Sequence, residues 1–378
     1  MSRPCVMIMA GGTGGHVFPA LSLAAVLRAR DCDIVWLGTL TGIEARLVPA
    51  AGIPIEWLQI GGLRGKSVIT LLAAPLRLLR ALVQAIGAMR RHRPRVVVGL
   101  GGYVTGPGGL AAWLTRRPLV IHEQNAIAGF TNRILAHFAH RVLEAFAGSF
   151  GRSRMRRGLF GAARDIITVG NPVRAEFFAL PEPAIRLAAR TGALRVLVVG
   201  GSQGARRLNE LVPLAVASLL DKLDVQIRHQ TGTRMLESTR AAYAEPAQSA
   251  GLEVRVEPFI DDIAAAYAEA DLVICRAGAL TVSELAAAGV AAILVPFPAA
   301  VDDHQTHNAR FLVERGAAVL LPERELTAER LAAELLRLGS DRAGLQQMAE
   351  RARSLARPSS AEDVAAICLA LASGGGAA

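Results

Sequence analysis

Aromatic residues make up only 4% of this 378-residue chain, and lysine is almost absent, so arginine supplies nearly all of the positive charge. The net charge of +10 favours polyanionic partners such as nucleic acid, an anionic membrane surface or phosphorylated ligands. Nucleic-acid surfaces interleave aromatic and basic side chains. No such pattern occurs here, and nucleic acid is not expected as a partner. The four cysteines, Cys5, Cys32, Cys275 and Cys368, are scattered without C-x-x-C or metal-ligand spacing. That excludes a disulfide framework, argues against a zinc site and fits a reducing compartment. No uncharged apolar run reaches the roughly 18 residues that a membrane span needs, so any membrane contact is expected to be peripheral. The N-terminus runs straight into a strand-like segment, and no secretory leader is expected. Neither G-x-x-x-x-G-K-[ST] nor G-x-G-x-x-G with a following acidic residue is present. A P-loop and a nicotinamide-dependent oxidoreductase are therefore disfavoured.

What is present is apolar and periodic. Hydrophobic residues make up 52% of the chain, ample for sizeable cores, and at roughly 150 residues per domain the length suggests two or three domains. Apolar β-branched runs at 5–10, 33–38, 55–60, 95–100 and 118–123 alternate with helical patterns. The scheme restarts at 195–200 and continues at 225–231, 252–259, 271–278 and 291–297. Strands that are apolar throughout indicate parallel sheets covered on both faces. The prediction is an α/β protein of two Rossmann-like, doubly wound domains. Boundaries are placed at 1–165 and 166–345, with helices at 346–378 packing back on the first domain and ending in a frayed tail.

Both halves open on the same device. "VMIMAGGTGG" and "VLVVGGSQGA" each read as strand, glycine turn and helix start. A helix N-terminus behind a bare glycine turn favours anions through its unbonded N–H groups and its dipole. His16 follows the first turn directly. It is either a general base, with the dipole lowering its pKa, or a structural histidine. A second glycine cluster, "GLGGYVTGPGG", follows the strand at 95–100. "HEQNAIAGFTN" then places His122, Glu123, Asn125 and Asn132 at a strand's C-terminal end, where open α/β sheets bind ligands. In the second half, "CRAGALTVSELAAAG" ends a strand at Arg276 and starts a helix whose N–H groups could hold a diphosphate without a metal. Glu284 either accepts hydrogen bonds from a ribose diol or forms a capping box with Thr281. Asp302–Asp303 reads as a metal site or, more commonly, as a helix N-cap. The segment 66–95 carries Leu72, Leu76, Leu79 and Val83 on one helical face, with arginines nearby and a kink risk at Pro75. It is either an ordinary core-facing helix or one lying at an anionic membrane interface.

Together GGTGGH, GGYVTGPGG, HEQNAIAGFTN, VGNPVR, GGSQGAR, FIDD, CRAGALTVSELAAAG and DDHQTHNA occur in the order seen in the MurG family of glycosyltransferase family 28, which this sequence resembles from about Val6 to Leu338. The resemblance implies a glycosyltransferase-B fold with two domains facing a cleft. It implies a UDP-GlcNAc donor and, as acceptor, undecaprenyl-pyrophosphoryl-MurNAc-pentapeptide (lipid I), converted to lipid II for peptidoglycan synthesis. It also implies peripheral association with the cytoplasmic face of the bacterial inner membrane through the N-terminal domain, and contacts with other cell-wall and division proteins. No obligatory cofactor or metal is implied. The family's donor contacts fall on Thr13, Gly14, Gly15, Asn125, Arg174, Ser202, Ile260, Gln305 and the run Ala279, Leu280, Thr281, Val282, Ser283, Glu284. His304 stands where some members carry a second glutamine. Tyr103, Asn132 and Arg276 are assigned to the acceptor side or the rim of the cleft. The implied reaction is an inverting displacement, with His16 as the base and His122 or Glu123 as rivals. The competing readings are a UDP-N-acetylglucosamine 2-epimerase on the same fold and a non-catalytic membrane scaffold.

Overall fold

The computed structural model describes residues 3–61, 74–151, 165–188, 190–201, 204–298 and 300–374. The chain divides into two compact units, Met1–Arg174 with Arg357–Ala378, and Ala175–Ala356.

The first unit is built on a 7-stranded sheet in the order β3-β2-β1-β4-β5-β6-β7, parallel throughout. Its strands are β1 (Cys5–Met9), β2 (Asp33–Gly38), β3 (Ile55–Trp57), β4 (Val96–Gly99), β5 (Leu119–Glu123), β6 (Arg141–Glu144) and β7 (Ile166–Thr168). Its helices are α1 (Gly14–Ala29), α2 (Glu44–Ala50), α3 (Ala74–His92), α4 (Thr105–Leu114) and α5 (Phe130–Leu135). Because neighbouring side chains on a strand point to opposite faces, β1 feeds two cores. Val6 and Ile8 join the α1 side with Val96 and Val98, while Met7 and Met9 join Val97, Ala85 and Ala111 on the α3–α4 side. That double burial is why the strands read as unbroken apolar runs.

The second unit repeats the plan with a 6-stranded parallel sheet, β10-β9-β8-β11-β12-β13. Its strands are β8 (Leu194–Val199), β9 (Val225–Gln230), β10 (Glu253–Glu257), β11 (Leu272–Cys275), β12 (Ala291–Leu294) and β13 (Ala318–Leu320). The helices are α6 (Ala175–Phe178), α7 (Pro183–Ala188), α8 (Arg206–Ala217), α9 (Leu236–Ala250), α10 (Ile263–Glu269), α11 (Ala279–Ala288), α12 (His304–Val313), α13 (Ala328–Gly339) and α14 (Arg342–Ser354). The final helix, α15 (Ser360–Ser373), belongs to the first unit and buries Val364, Ala365 and Cys368 with α1 residues.

Two boundaries differ from the sequence reading. β7 pairs with β6, so the first sheet extends past residue 165 and its unit runs to Arg174. Of the C-terminal helices, α14 stays with the second unit, where Arg342 donates to the buried Asp271 at 2.9 Å and Arg353 to the Phe178 carbonyl at 2.9 Å. Only α15 lies in the first unit. In each sheet the strand order reverses once, between β1 and β4 and between β8 and β11. Those two switch points are where loops at strand C-termini leave room for a ligand.

Candidate active site

At the first switch point two glycine loops interlock. Gly12 has φ +90° and donates its N–H to Glu44 Oε2 at 2.9 Å. The other oxygen of Glu44 accepts from the Thr39 N–H (3.0 Å) and hydroxyl (2.7 Å). This carboxylate is fully buried, and a Cβ at Gly11 would stand 2.5 Å from it. From the other side, a Cβ at Gly102 would come within 2.3 Å of the Gly11 carbonyl, and one at Gly101 within 2.4 Å of His16 Nδ1. Both glycines have positive φ, a region glycine alone occupies cheaply. Thr13 is the N-cap of α1, and Gly14, Gly15 and His16 form its first turn. The N–H groups of that turn have no carbonyl within the helix to bond, apart from that of His16, which reaches the Thr13 carbonyl at 3.1 Å. His16 is half-buried, and its Nδ1 lies 3.3 Å from Gln124 Oε1.

The rival bases are committed elsewhere. His122 has no exposed surface, and its Nε2 is 2.8 Å from the Gly170 carbonyl. Burial pushes its pKa down. Glu123 is buried and accepts four hydrogen bonds. They come from the Asn125 N–H (2.9 Å) and amide (3.2 Å), the Gly129 N–H (3.0 Å) and the Asn132 amide (2.8 Å). Glu123 thereby folds the 123–132 loop and draws Asn132 inward, and neither group is placed to meet a substrate hydroxyl. Tyr103 is exposed just past the Gly101–Gly102 turn. Arg174 lies over the Phe18 ring, 5.1 Å from its centroid, one helical turn past Gly14.

At the second switch point, the N-cap of α11 is Gly278 and not Thr281. Thr281 is the third helical residue, so Thr281 and Glu284 cannot form a capping box, which spans N-cap to N3. The Val282 N–H already bonds the Gly278 carbonyl at 2.9 Å, and the Ser283 hydroxyl returns to the Ala279 carbonyl at 2.9 Å. The helix itself offers no carbonyl to the N–H groups of its first three residues, Ala279, Leu280 and Thr281. Glu284 is buried one turn further in, and its charge helps push the buried Cys275 thiol up to about 12, after burial itself.

A cavity of about 650 Å³ lies at this end of the unit, and its lining includes Gly204, Arg206, Arg207, Arg234, Arg276 and Gln305. Arg276 donates to the carbonyls of Val295 (3.2 Å) and Pro296 (3.3 Å) and pairs with Glu323. It is a brace between strand ends as well as a cavity wall. Gln305 Oε1 accepts from the Phe297 N–H at 2.9 Å, which turns its amide NH₂ away from that backbone. Asp303 sits at the N-cap of α12 and accepts from the Thr306 hydroxyl at 2.7 Å. No group of three or more potential metal ligands occurs among the described residues. Ile260 is buried beside the Asp262 cap of α10. Ser202 lies outside the described residues.

The first unit also exposes apolar residues on two helices. Leu76, Leu79 and Val83 on α3 are 72%, 57% and 61% exposed, and Phe130 on α5 is 75% exposed. The core side of α3 is instead Ala81, Ala85, Ala88 and Met89. The leucine stripe does not face the core, and Arg77 and Arg80 beside it are exposed too. Residues 66–73, including Leu72, lie outside the described residues, and Pro75 stands in the first described turn of α3. No helix among the described residues is long and apolar enough to cross a membrane.

Sequence reasoning passed over Glu44, Gln124 and the cavity residues Arg207 and Arg234, while Arg206 closed the GGSQGAR motif already matched to the diphosphate side. Gln124 stood inside a quoted motif. Glu44 has no local signal, because its partner Gly12 is 32 positions away.

Residues 6–144 match the glycosyltransferase family 28 N-terminal domain, and residues 195–364 match the family's C-terminal domain. A relative from Nitrosococcus oceani, named as a UDP-N-acetylglucosamine–N-acetylmuramyl-(pentapeptide) pyrophosphoryl-undecaprenol N-acetylglucosamine transferase, is 57% identical over 98% of this chain and 99% of its own. The crystal structure of Acinetobacter baumannii MurG is 43% identical and superposes with a TM-score of 0.81, covering 97% of this chain and 100% of that one. A UDP-GlcNAc 2-epimerase from Neisseria meningitidis covers 97% of this chain and all of its own with a TM-score of 0.67 but is 10% identical, a likeness of fold alone. The two sheets are those of a glycosyltransferase-B fold, and the chain belongs to glycosyltransferase family 28, within its MurG branch.

Proposed function

We propose that the chain transfers N-acetylglucosamine from UDP-GlcNAc to the C4 hydroxyl of the MurNAc of undecaprenyl-pyrophosphoryl-MurNAc-pentapeptide, with inversion, forming lipid II. The observation that carries this is the end-to-end 57% identity to a relative named for that transfer. In this reading the second unit takes the donor. Its diphosphate lies at the N-terminus of α11, where the first-turn N–H groups point out of the helix and its dipole favours negative charge. The arginine-lined cavity beside it adds to the same field. As the C1–O bond breaks, charge grows on the departing UDP, and preorganised donors stabilise that growth without reorganising. The buried Glu284 carboxylate accepts from the ribose hydroxyls, and the Gln305 amide donates to the sugar.

The first unit takes the acceptor. A neutral alcohol is a weak nucleophile, and His16 removes its proton as it attacks. The exposed α3 and α5 residues with their flanking arginines hold this unit against the anionic cytoplasmic face of the inner membrane, where the acceptor's lipid is anchored. No metal takes part.

The test is transfer of labelled N-acetylglucosamine to the lipid-linked acceptor with and without EDTA. Equal rates are expected, and a rate that EDTA abolishes refutes the metal-free mechanism. Failure of any transfer to this acceptor refutes the reading as a whole. His16→Ala should lower kcat by about 10²–10⁴-fold with donor affinity retained. Loss of UDP-GlcNAc binding with kcat preserved would make His16 structural.

A further inference from the structure

We infer that Gln124 is a positioning residue that fixes the tautomer of His16, so that the proton of the acceptor hydroxyl goes to Nε2. The inference rests on the reading of His16 as the base and names the nitrogen and its partner. Gln124 follows β5 and is buried. Its Nε2 is 2.5 Å from the Leu100 carbonyl. A main-chain carbonyl only accepts, so the amide NH₂ must face Leu100; the flipped amide would set two oxygens against each other. That leaves Oε1 facing the imidazole, 3.3 Å from Nδ1 of His16. An amide oxygen also only accepts, and the hydrogen therefore sits on Nδ1 and the lone pair on Nε2.

The surroundings hold this arrangement from three sides. The Gln124 carbonyl accepts from the Asn171 amide at 3.2 Å, and the Asn171 carbonyl accepts from the Ser360 hydroxyl at 2.6 Å. The Gly101 backbone presses on the Nδ1–Cε1 edge, where a Cβ would stand 2.4 and 2.6 Å from those two atoms. Glu123, the neighbouring carboxylate, spends its oxygens on Asn125, Gly129 and Asn132, so a neutral amide and not a charge meets the ring. A carboxylate there would set the same tautomer but favour imidazolium before the substrate arrives.

In the transfer step the acceptor O–H bond breaks and its proton goes to Nε2. The O–C1 bond forms, and the electron pair of the C1–O bond leaves with UDP. The resulting imidazolium keeps its Nδ1–H on Gln124 Oε1 and later returns its proton to water.

Ionisable groups on the loops and elements that meet α1 include Glu44 and Arg46 on α2, Tyr103, His122, Glu123 and Arg174, and Glu362 and Asp363 on α15. The first turn of α1 itself carries no acidic residue. All are the same in wild type and variants, so a comparison isolates residue 124.

The experiment uses the full-length enzyme, its Gln124→Met variant and the near-isosteric Gln124→Glu, with donor binding and circular dichroism as checks of folding. Two-bond ¹H–¹⁵N spectra, with the His16 signal assigned by its loss in His16→Ala, report the tautomer. Wild type should show the Nδ1–H form, and Gln124→Met should lose it. Gln124→Met should lower kcat more than about tenfold with the donor KM within about twofold. Gln124→Glu, which can hold a proton toward the Leu100 carbonyl and keep its other oxygen on His16, should restore the Nδ1–H form and much of the kcat that Gln124→Met loses. A wild-type His16 in the Nε2–H form overturns the role of Gln124. A Gln124→Met variant that loses the Nδ1–H form but keeps its kcat overturns His16 as the base and leaves the tautomer assignment standing.

Discussion

Acid should weaken the second unit through one buried histidine. His229 has no exposed surface. Its Nε2 is 3.1 Å from Asn209 Oδ1 and its Nδ1 is 3.0 Å from the Tyr243 hydroxyl. The Asn209 amide donates to the Thr231 carbonyl at 2.9 Å, which leaves Oδ1 to accept the Nε2 hydrogen. Burial lowers the His229 pKa from an ordinary 6.5 to about 3 and pushes that of Tyr243 upward. Above pH 6.5 folded and unfolded chains both carry a neutral ring, and His229 adds no pH dependence. Below it the unfolded chain binds a proton that the folded chain refuses, so stability falls until pH reaches the folded value. Each pH unit in that window costs about 1.4 kcal/mol, or about 2 kcal/mol by pH 5. For a unit of this size that is a fall in Tm of roughly 4–8 °C. The assay is urea unfolding of wild type and His229→Gln between pH 8 and 5, following the transition that UDP shifts to higher urea. The variant should be weaker at pH 8, and its loss between pH 8 and 5 should be smaller by about 2 kcal/mol. His122 titrates in the same direction, since burial lowers its pKa as well, but it is common to both proteins and cancels. Parallel pH profiles would refute the argument.

Three further outcomes follow from the geometry. Glu44→Ala strands the Gly12 N–H and both Thr39 donors and should cost about 2–4 kcal/mol in urea unfolding, with a fall in kcat as the His16 loop loosens. The same-shaped Glu44→Gln should lose less, and equal behaviour of the two would show that the carboxylate holds nothing. Glu284→Ala should weaken UDP-GlcNAc binding by about 1–3 kcal/mol in calorimetry; with no capping box to break, an unchanged donor KM would remove Glu284 from the donor site. Leu76→Glu with Leu79→Glu should abolish flotation on anionic liposomes while transfer to a detergent-dispersed acceptor continues, and undiminished flotation would place membrane contact elsewhere.

The parallel sheets were legible in the sequence because strands buried on both faces become unbroken apolar runs. β6, β7 and β13 were not, since "RVLE", "IIT" and "AVL" are too short to show a period. Glycine marked the first switch point for a local reason: a side chain at Gly101 or Gly102 would need positive φ and would run into His16 or Gly11. Which polar group meets which was hidden. Within "HEQN" the carboxylate is the more reactive-looking neighbour, yet Glu123 faces the 123–132 loop and Gln124 faces His16. A one-residue alternation decides the chemistry, and the sequence does not say which side lies against α1. The T-x-x-E match at Thr281 failed for a related reason, because the helix starts three residues earlier at Gly278.

In the proposed reading the two units use one scaffold for different ends, and the difference lies in the first helical turn after each switch-point strand. In α1 the third helical residue is His16, behind two glycines; in α11 it is Thr281, behind Ala279 and Leu280. A threonine adds no charge to compete with the helix N–H groups for an anion, so the α11 turn suits a diphosphate. The α8 turn strengthens that assignment. Arg206 and Arg207 open α8, where cations oppose the helix dipole. Glu210 offsets part of this at 2.7 Å from Arg206 and 3.7 Å from Arg207. Among the described residues the cavity wall nevertheless holds Arg206, Arg207, Arg234 and Arg276 against the carboxylate of Glu323. Cations at the N-terminus of a helix, as Arg206 and Arg207 are, are unfavourable for folding alone and become favourable once a polyanion enters, which supports the proposal that the donor diphosphate binds at that end of the second unit.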